Sequence, residues 1–201
     1  MGKLNLLKGR YTGKVGETVG AKWKDKSTLR TFSIPSNPRT SAQQSVRTVF
    51  ADMTAFVALF ADQIKYLSAL NTSGMSVRNA IIKLNKDQIS GGTFDKASLE
   101  ISRGGLQKPT VSAPTFADGI VTLPFTAPTA TNFTNDAKII VVFVDAANSI
   151  VDVKEAGVDA GTVASANLFA TSEDVDVYAY YLDKRGSSKI ASVSVYQSYS
   201  A

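Results

Sequence analysis

The strongest constraint on the fold is a run of six apolar residues, 139–144, directly behind Lys138. A run this short and this rich in β-branched residues fits a strand with both faces buried, as in the interior of a β-sandwich. Turn residues such as Asp118-Gly119 and the segment 183–188 divide the rest of the C-terminal half into short alternating strands. The sequence therefore predicts an all-β, immunoglobulin-like sandwich over residues 109–201.

The alternation within this half also predicts which residues form its core. The predicted strands cover residues 116–125, 138–144, 150–154, 162–170, 175–182 and 189–196. Four aromatic residues on these strands are predicted to pack in the core or at its edge: Phe125, Phe143, Tyr178 and Tyr180. With no cysteine in the chain, such a sandwich depends on packing alone.

The middle of the chain has helical periodicity. Apolar residues from Val46 to Leu67 recur at steps of three and four, which predicts a long helix over roughly 41–70, with Ser41 and Gln44 as a capping box. A second helix is predicted over 76–87, and the two form a helical hairpin. Leu99 and Ile101 alternate with polar residues, which predicts a strand over 97–103.

Residues 1–34 form an arm of short strands and turns that is rich in glycine. A turn at residues 24–27 predicts a hairpin, with Ala21 and Trp23 on one face and a polar face that carries Lys22, Lys24 and Lys26. Alternatively, the arm lies extended on a partner, because dense glycine weakens a free-standing strand. The predicted fold class is α+β, with a domain over 1–108 (arm and helical hairpin) and a sandwich domain over 109–201.

Charge is distributed unevenly between these two predicted domains. Residues 1–108 hold 17 Lys and Arg against 7 Asp and Glu, whereas residues 109–201 hold 5 against 10. This asymmetry favours an acidic partner for the front of the chain: nucleic acid, anionic lipid or the acidic end of another copy. Opposite charge on the two halves also favours head-to-tail contacts between copies.

The basic arm and the start of the long helix supply the predicted partner-binding site. Its residues are Lys3, Lys8, Arg10, Lys14, Lys22, Trp23, Lys24, Lys26, Arg30, Arg39 and Arg47. Lys and Arg neutralise phosphates and release counterions, and interleaved aromatic residues stack on bases or pack on a neighbouring protein. A solvated face, a protein contact and a nucleic-acid contact are all compatible with this pattern.

Composition excludes the common catalytic arrangements. The chain has no cysteine and no histidine, which rules out a Ser-His-Asp triad, a thiol nucleophile and a zinc site of ordinary ligands. The acidic cluster that includes Asp174 and Asp176 is interpreted as a solvated strand face, and the glycines of the arm do not form a phosphate loop. We predict no catalytic residues, no cofactor, no metal, no small-molecule substrate and no membrane span.

The order of short motifs resembles a known family. The arm carries Gly13-Lys14-Val15-Gly16, Val19-Gly20 and Trp23-Lys24. Further motif residues follow in order along the rest of the chain: Thr40, Gln44, Arg47 and Phe50, then Ile-Ser-Arg-Gly-Gly-Leu at 101–106, Val-Tyr-Ala-Tyr-Tyr at 177–181 and Ser-Val-Ser-Val-Tyr at 192–196. In this order the chain resembles an uncharacterised domain-of-unknown-function family of Bacteroidetes and their phages.

The resemblance implies a bacterial or phage origin and brings no established activity. Members that open in this way look like virion components. The expected function is therefore a non-enzymatic structural or accessory component of a bacteriophage virion, which is assembled in the bacterial cytoplasm. Its expected partners are other virion proteins and further copies of itself. The alternatives are a nucleic-acid-associated protein packaged with a genome, and an Ig-like adhesion module.

Overall fold

A computed structural model describes residues 3–5, 10–23, 26–34, 36, 39–70, 73–129, 132–169 and 174–200. The chain contains more strand than helix and divides into two compact units, Met1–Thr40 and Ser41–Ala201. We call the first the arm unit and the second the layered unit.

The arm unit is one antiparallel sheet of four strands. Its strands are β1 (Lys3–Asn5), β2 (Arg10–Val15), β3 (Thr18–Trp23) and β4 (Lys26–Thr31), and they lie in the order β1-β2-β3-β4. Trp23 pairs with Lys26 across the connection between β3 and β4, which confirms the predicted hairpin. Strands joined by such short connections pair with their sequence neighbours, so the sheet is a simple meander.

The layered unit begins with three helices: α1 (Ser41–Phe60), α2 (Val77–Leu84) and α3 (Lys86–Gly91). The prediction that the first helix continues to residue 70 is wrong. Its backbone changes to hydrogen-bonded turns after Phe60, with bonds three residues apart such as Leu67 N to Ile64 O at 2.9 Å. Ile64 is still fully buried, so the apolar spacing in the sequence extends beyond Phe60, where the regular helix ends.

The predicted strand over 97–103 is also wrong, although Leu99 and Ile101 are buried as expected. Side chains take the place of a strand ladder here. The Asn85 side chain accepts a bond from Glu100 N at 2.8 Å and donates one to Glu100 O at 2.7 Å. Ile101 N donates to Ser194 Oγ at 2.9 Å. Because these bonds satisfy the backbone, the segment needs no partner strand.

In the described part of the remaining chain, nine strands follow in two antiparallel sheets. They are β5 (Thr110–Val111), β6 (Thr115–Ala117), β7 (Ile120–Thr126), β8 (Lys138–Asp145), β9 (Ile150–Gly157), β10 (Thr162–Ala164), β11 (Asp174–Arg185), β12 (Ser188–Ala191) and β13 (Val195–Ser200). The smaller sheet has the order β10-β7-β5, with β6 also paired to β7. The larger has the order β12-β11-β8-β9, with β13 also paired to β11.

Strand β8 is buried on both faces, as its apolar run predicts. Ile140, Val142 and Val144 share a hydrophobic cluster with the helices, while residues 139, 141 and 143 share a second cluster with the smaller sheet. The larger sheet therefore lies between a helical layer and a second sheet, because successive side chains of a strand point to opposite faces. The four predicted core aromatic residues are confirmed as buried.

The shared cluster also determines how the chain divides. Phe56, Phe60 and Ile81 of the helical segment pack in one cluster with Tyr178 and Tyr180 of β11. The boundary between the two compact units accordingly lies between residues 40 and 41 of the chain. Residues 41–108 are in the same unit as the two sheets of residues 109–201. That residues 109–201 form a domain of their own stays a prediction.

Candidate binding surface

The predicted binding residues lie mainly on the strands of the arm unit. Lys8 and Lys24 lie outside the described residues, and Lys3, Arg10 and Trp23 lie within β1, β2 and β3. The described side chains are all exposed: Lys14, Lys22, Lys26, Arg30, Arg39 and Arg47. The last two stand just before α1 and in its second turn.

Strand register places Lys14, Lys26 and Arg30 on one face of the sheet, together with the positions of Lys3 and Arg10. Val19 of β3 lies opposite Lys14 on one side and opposite Arg30 on the other. Lys26 stands four residues before Arg30 on β4, and Thr28 between them pairs with Ala21. Residues directly opposite share a face, and so do alternate residues of one strand. We call Lys14, Lys26 and Arg30 the cationic face.

The opposite face carries two exposed apolar side chains among glycines and the polar residues Thr18, Lys22, Ser27 and Thr31. Val15 pairs with Thr18, Gly13 with Gly20, and Gly20 in turn with Leu29. Val15 is 48% and Leu29 63% exposed. Of residues 12–22 and 26–34, whose burial the structure describes, only Gly20 is buried. We call Val15 and Leu29, with the glycine pair between their strands, the apolar face.

Lys22 lies on this apolar side. The prediction that it shares a face with Lys26 is wrong, because the chain reverses between the two lysines. Lys26 pairs with Trp23 and Lys22 pairs with Ser27, so the two lysines lie on opposite faces. Register across the hairpin, rather than spacing along the sequence, determines which residues share a face.

Phe32 positions one of the cations. The Lys14 Nζ atom lies 3.6 Å from the centroid of the Phe32 ring, a cation–π distance, and the ring is 40% exposed. Phe32 N donates a hydrogen bond of 2.6 Å to Glu17 O, which ties the residue after β4 to the turn between β2 and β3. One of the aromatic residues interleaved with the cations thus contacts a cation of its own sheet.

Charge in the two units is organised differently. Residues 1–40 contain nine Lys and Arg against two Asp and Glu, and residues 41–201 contain thirteen against fifteen. Among its described residues, ion pairs join cations and carboxylates within the layered unit: Lys96–Asp176, Arg103–Glu100, Lys138–Glu155, Lys154–Asp152 and Arg185–Asp183. The layered unit thus balances much of its charge internally, whereas the arm unit carries a large excess of positive charge.

Sequence reasoning missed a buried polar network in the layered unit. Asp174 is exposed as predicted, but Asp176 is only 7% exposed, so its interpretation as a solvated residue is wrong. Its carboxylate receives Lys96 Nζ at 2.7 Å and the Tyr196 hydroxyl at 2.8 Å. Burial, followed by the hydrogen bond to Asp176, raises the pKa of Tyr196 to about 12.

Tyr178 extends this network to the backbone, because its hydroxyl donates to Lys96 O at 2.9 Å. Its pKa is raised by burial and then by the negative charge of Asp176. These contacts fasten the segment around Lys96 to the larger sheet. The spacing of residues along the chain gives no signal of this network, because the network depends on the register that brings β13 beside β11.

The described residues lack two further kinds of site. They contain no group of three or more His, Cys, Asp or Glu residues placed to hold a metal ion. In the same ranges, no helix combines the length and apolarity that a membrane span requires.

Comparison with protein families supplies the classification. The model of a family of unknown function (DUF6266) matches residues 10–197. The chain belongs to this family. A comparison with curated proteins finds no match. Because the DUF6266 match begins at Arg10, it includes strands β2–β4 of the arm together with most of the layered unit.

One glycine of this DUF6266 member lies against another segment of the chain. A Cβ atom at Gly104 would lie 2.8 Å from the carbonyl carbon of Ala191 and closer still to its oxygen, whereas one at Gly105 would meet nothing within 4 Å. Gly104 lies between Ser102, whose hydroxyl donates to Ser192 O at 2.9 Å, and Leu106, whose N–H donates to Ala191 O at 3.1 Å. Glycine at 104 thus permits the close backbone approach at this position.

Proposed function

We propose that the protein is a non-enzymatic structural or accessory component of a bacteriophage virion that assembles through its arm unit. The observation that carries the assembly part is the exposed apolar face of a separate four-stranded sheet. The virion part rests on a resemblance alone: the order of motifs resembles a family in which phage proteins of similar opening look like virion components. The lack of histidine and cysteine supports a non-enzymatic role.

The physical argument concerns a sheet that lacks a core of its own. A sheet of three or more strands is independently stable when it has a hydrophobic face or packs against another element of the structure. Leu29 and Val15 present such a face and remain 63% and 48% exposed. Covering Leu29 with a partner would contribute on the order of 1–2 kcal/mol. We assign this role to the apolar face of a second copy, because the two faces are identical and the cationic face of each copy, Lys14, Lys26 and Arg30, then points outward.

The same proposal includes the fold class of the chain and the type of its sandwich. We propose that the chain is an α+β protein whose residues 109–201 are an immunoglobulin-like sandwich. Two antiparallel sheets with a common hydrophobic cluster support it. Helices cover the outer face of the larger sheet here, so the sandwich would differ from an isolated one in having a third layer. An experimental structure whose sheets lacked the crossover order of an immunoglobulin domain would contradict this assignment.

Light scattering after size-exclusion chromatography tests the assembly. The full chain is expected to exceed the monomer mass, and a chain of residues 41–201 is expected to be monomeric. Leu29→Ser should weaken association about tenfold, since it removes about 1.4 kcal/mol of apolar burial. Ile34→Ser is the matched control, because Ile34 is 82% exposed but follows the sheet.

Two results would contradict the proposal. One is a full chain that remains monomeric across the accessible concentrations. The other is equal loss of association in Leu29→Ser and Ile34→Ser, which would show that general surface hydrophobicity, and not the apolar face, holds the copies together.

A further inference from the structure

We propose that the cationic face, Lys14, Lys26 and Arg30, binds the phosphate backbone of nucleic acid without reading its base sequence. This inference goes beyond assembly and is independent of it, because the cationic and apolar faces lie on opposite sides of the same sheet. The two ligands would therefore not compete for the same side chains.

The spacing of the three cations suits a polyanion. Lys14 and Arg30 lie on strands that flank β3, so their Cα atoms are separated by about 10 Å, two inter-strand spacings. Lys26 and Arg30 are four residues apart on one strand, which is about 13 Å. A nucleic-acid strand carries a charge about every 3.4 Å along its axis, so each cation can contact a different phosphate.

The surface between the cations admits a close approach. Val19, Ala21 and Thr28, which are small or medium-sized, lie between the cations on this face, and Trp23 lies opposite Lys26. The Thr28 hydroxyl already donates to Ala21 O at 3.2 Å, so it does not need a new partner. Phe32 holds the Lys14 ammonium at the edge of this surface. Long basic side chains around a low floor are suited to contact with a sugar–phosphate backbone.

Charge complementarity favours nucleic acid over the acidic residues of a second copy. Five carboxylates of the layered unit are already paired with cations of that unit. Other exposed carboxylates, such as Asp62, Asp118 and Asp159, lie on separate segments, and no three acidic groups in the described ranges lie close enough to hold a metal ion. Duplex DNA, with one charge per roughly 1.7 Å, supplies a far denser set of anions.

Binding that releases counterions has a measurable signature. For duplex DNA, each phosphate that a cation neutralises contributes about 0.9 to the slope of log affinity against log salt concentration. Removing the three cations should therefore reduce the magnitude of that slope by about 2.7. Little preference between sequences is expected, because phosphate contacts carry no direct sequence information.

The experiment uses the full chain and a short fluorescently labelled DNA duplex. Fluorescence anisotropy gives the affinity at several salt concentrations between about 50 and 200 mM. The test variant combines Lys14→Gln, Lys26→Gln and Arg30→Gln. The matched control is Lys22→Gln, which removes an exposed cation from the opposite side of the same sheet. A charge-preserving triple variant, Lys14→Arg, Lys26→Arg and Arg30→Lys, shows whether charge or side-chain identity matters.

The expected result is a slope reduced by about 2.7 in the triple Gln variant and nearly unchanged in the other two. Absence of duplex binding at about 50 mM salt would overturn the proposal, and so would a slope reduced by about 0.9 in Lys22→Gln, the same reduction per removed charge as in the triple Gln variant. Light scattering separates this outcome from assembly: the triple Gln variant should keep the mass of the unchanged protein. If the triple Gln variant has a lower mass than the unchanged protein, and the unchanged protein does not bind the duplex, the ligand of the cationic face is an acidic protein surface instead.

Discussion

The close approach of Gly104 to Ala191 allows a sharp test of how the segment before the sandwich is held. In Gly104→Ala, the new methyl group would stand 2.8 Å from the carbonyl carbon of Ala191, whereas ordinary van der Waals contacts begin at 3.4 Å. Both neighbours are backbone, so no side-chain rotation can relieve the clash. The segment must shift, and the Leu106 N to Ala191 O bond at 3.1 Å is the contact most directly opposed to that shift.

The cost follows from two contributions. Forcing an extra methyl group into a packed site costs about 1–3 kcal/mol. Leaving the buried N–H of Leu106 without its acceptor costs about 1–3 kcal/mol more. The free energy of unfolding of the layered unit should therefore fall by roughly 2–6 kcal/mol, which corresponds to a melting temperature lower by roughly 4–24 °C for a unit of this size.

Thermal unfolding of residues 41–201, followed by near-ultraviolet circular dichroism of the buried tyrosines, measures the effect. Gly105→Ala is the matched control, because a Cβ atom there meets nothing within 4 Å. It should change stability by less than about 1 kcal/mol, or increase it slightly by restricting the unfolded chain. Equal stability of the two variants would refute the argument from close approach.

Two other predictions concern the layered unit. Burial alone would raise the pKa of Asp183, but hydrogen bonds from Thr134 and Arg185 together lower it. The stabilisation that the charged Asp183 carboxylate provides is therefore complete above the pKa of the unfolded chain, near pH 4, and is lost as the pH falls through the lower pKa of the folded protein. The melting temperature should therefore fall less steeply below about pH 4 in Asp183→Asn than in the unchanged protein. Equal slopes would contradict this. Separately, a chain of residues 109–201 should aggregate or bind a hydrophobic dye, because removal of the helices exposes Tyr178 and Tyr180, which they cover in the full chain. A folded monomer of residues 109–201 would instead support the predicted domain boundary at residue 109.

Periodicity predicted the elements whose pattern is local. The alternation around Phe143 and Tyr180 identified buried strands, and the spacing from Val49 to Phe60 identified the long helix. These predictions succeeded because burial against one or two neighbouring layers imposes a fixed repeat on the sequence. The cationic composition of the arm was evident from the residues alone, although its function stays a proposal.

Features set by distant partners were not predictable from spacing. Leu99 and Ile101 alternate as in a strand, but the side chains of Asn85 and Ser194 take the place of a neighbouring strand. Asp176 looked solvated because Lys96, which covers it, lies 80 positions earlier in the chain. The same reason explains the wrong face assigned to Lys26: pairing across a reversal, and not sequence separation, decides which residues become neighbours.

The two-sided sheet of the arm has a consequence for valency. A sheet is a single backbone layer, and two sheets that pack face to face lie about 10 Å apart. Two copies joined through Leu29 and Val15 would turn Lys14, Lys26 and Arg30 of each copy outward in opposite directions. Such a dimer would be a bivalent bridge, able to hold two separate stretches of polyanion side by side with only the thickness of two sheets between them.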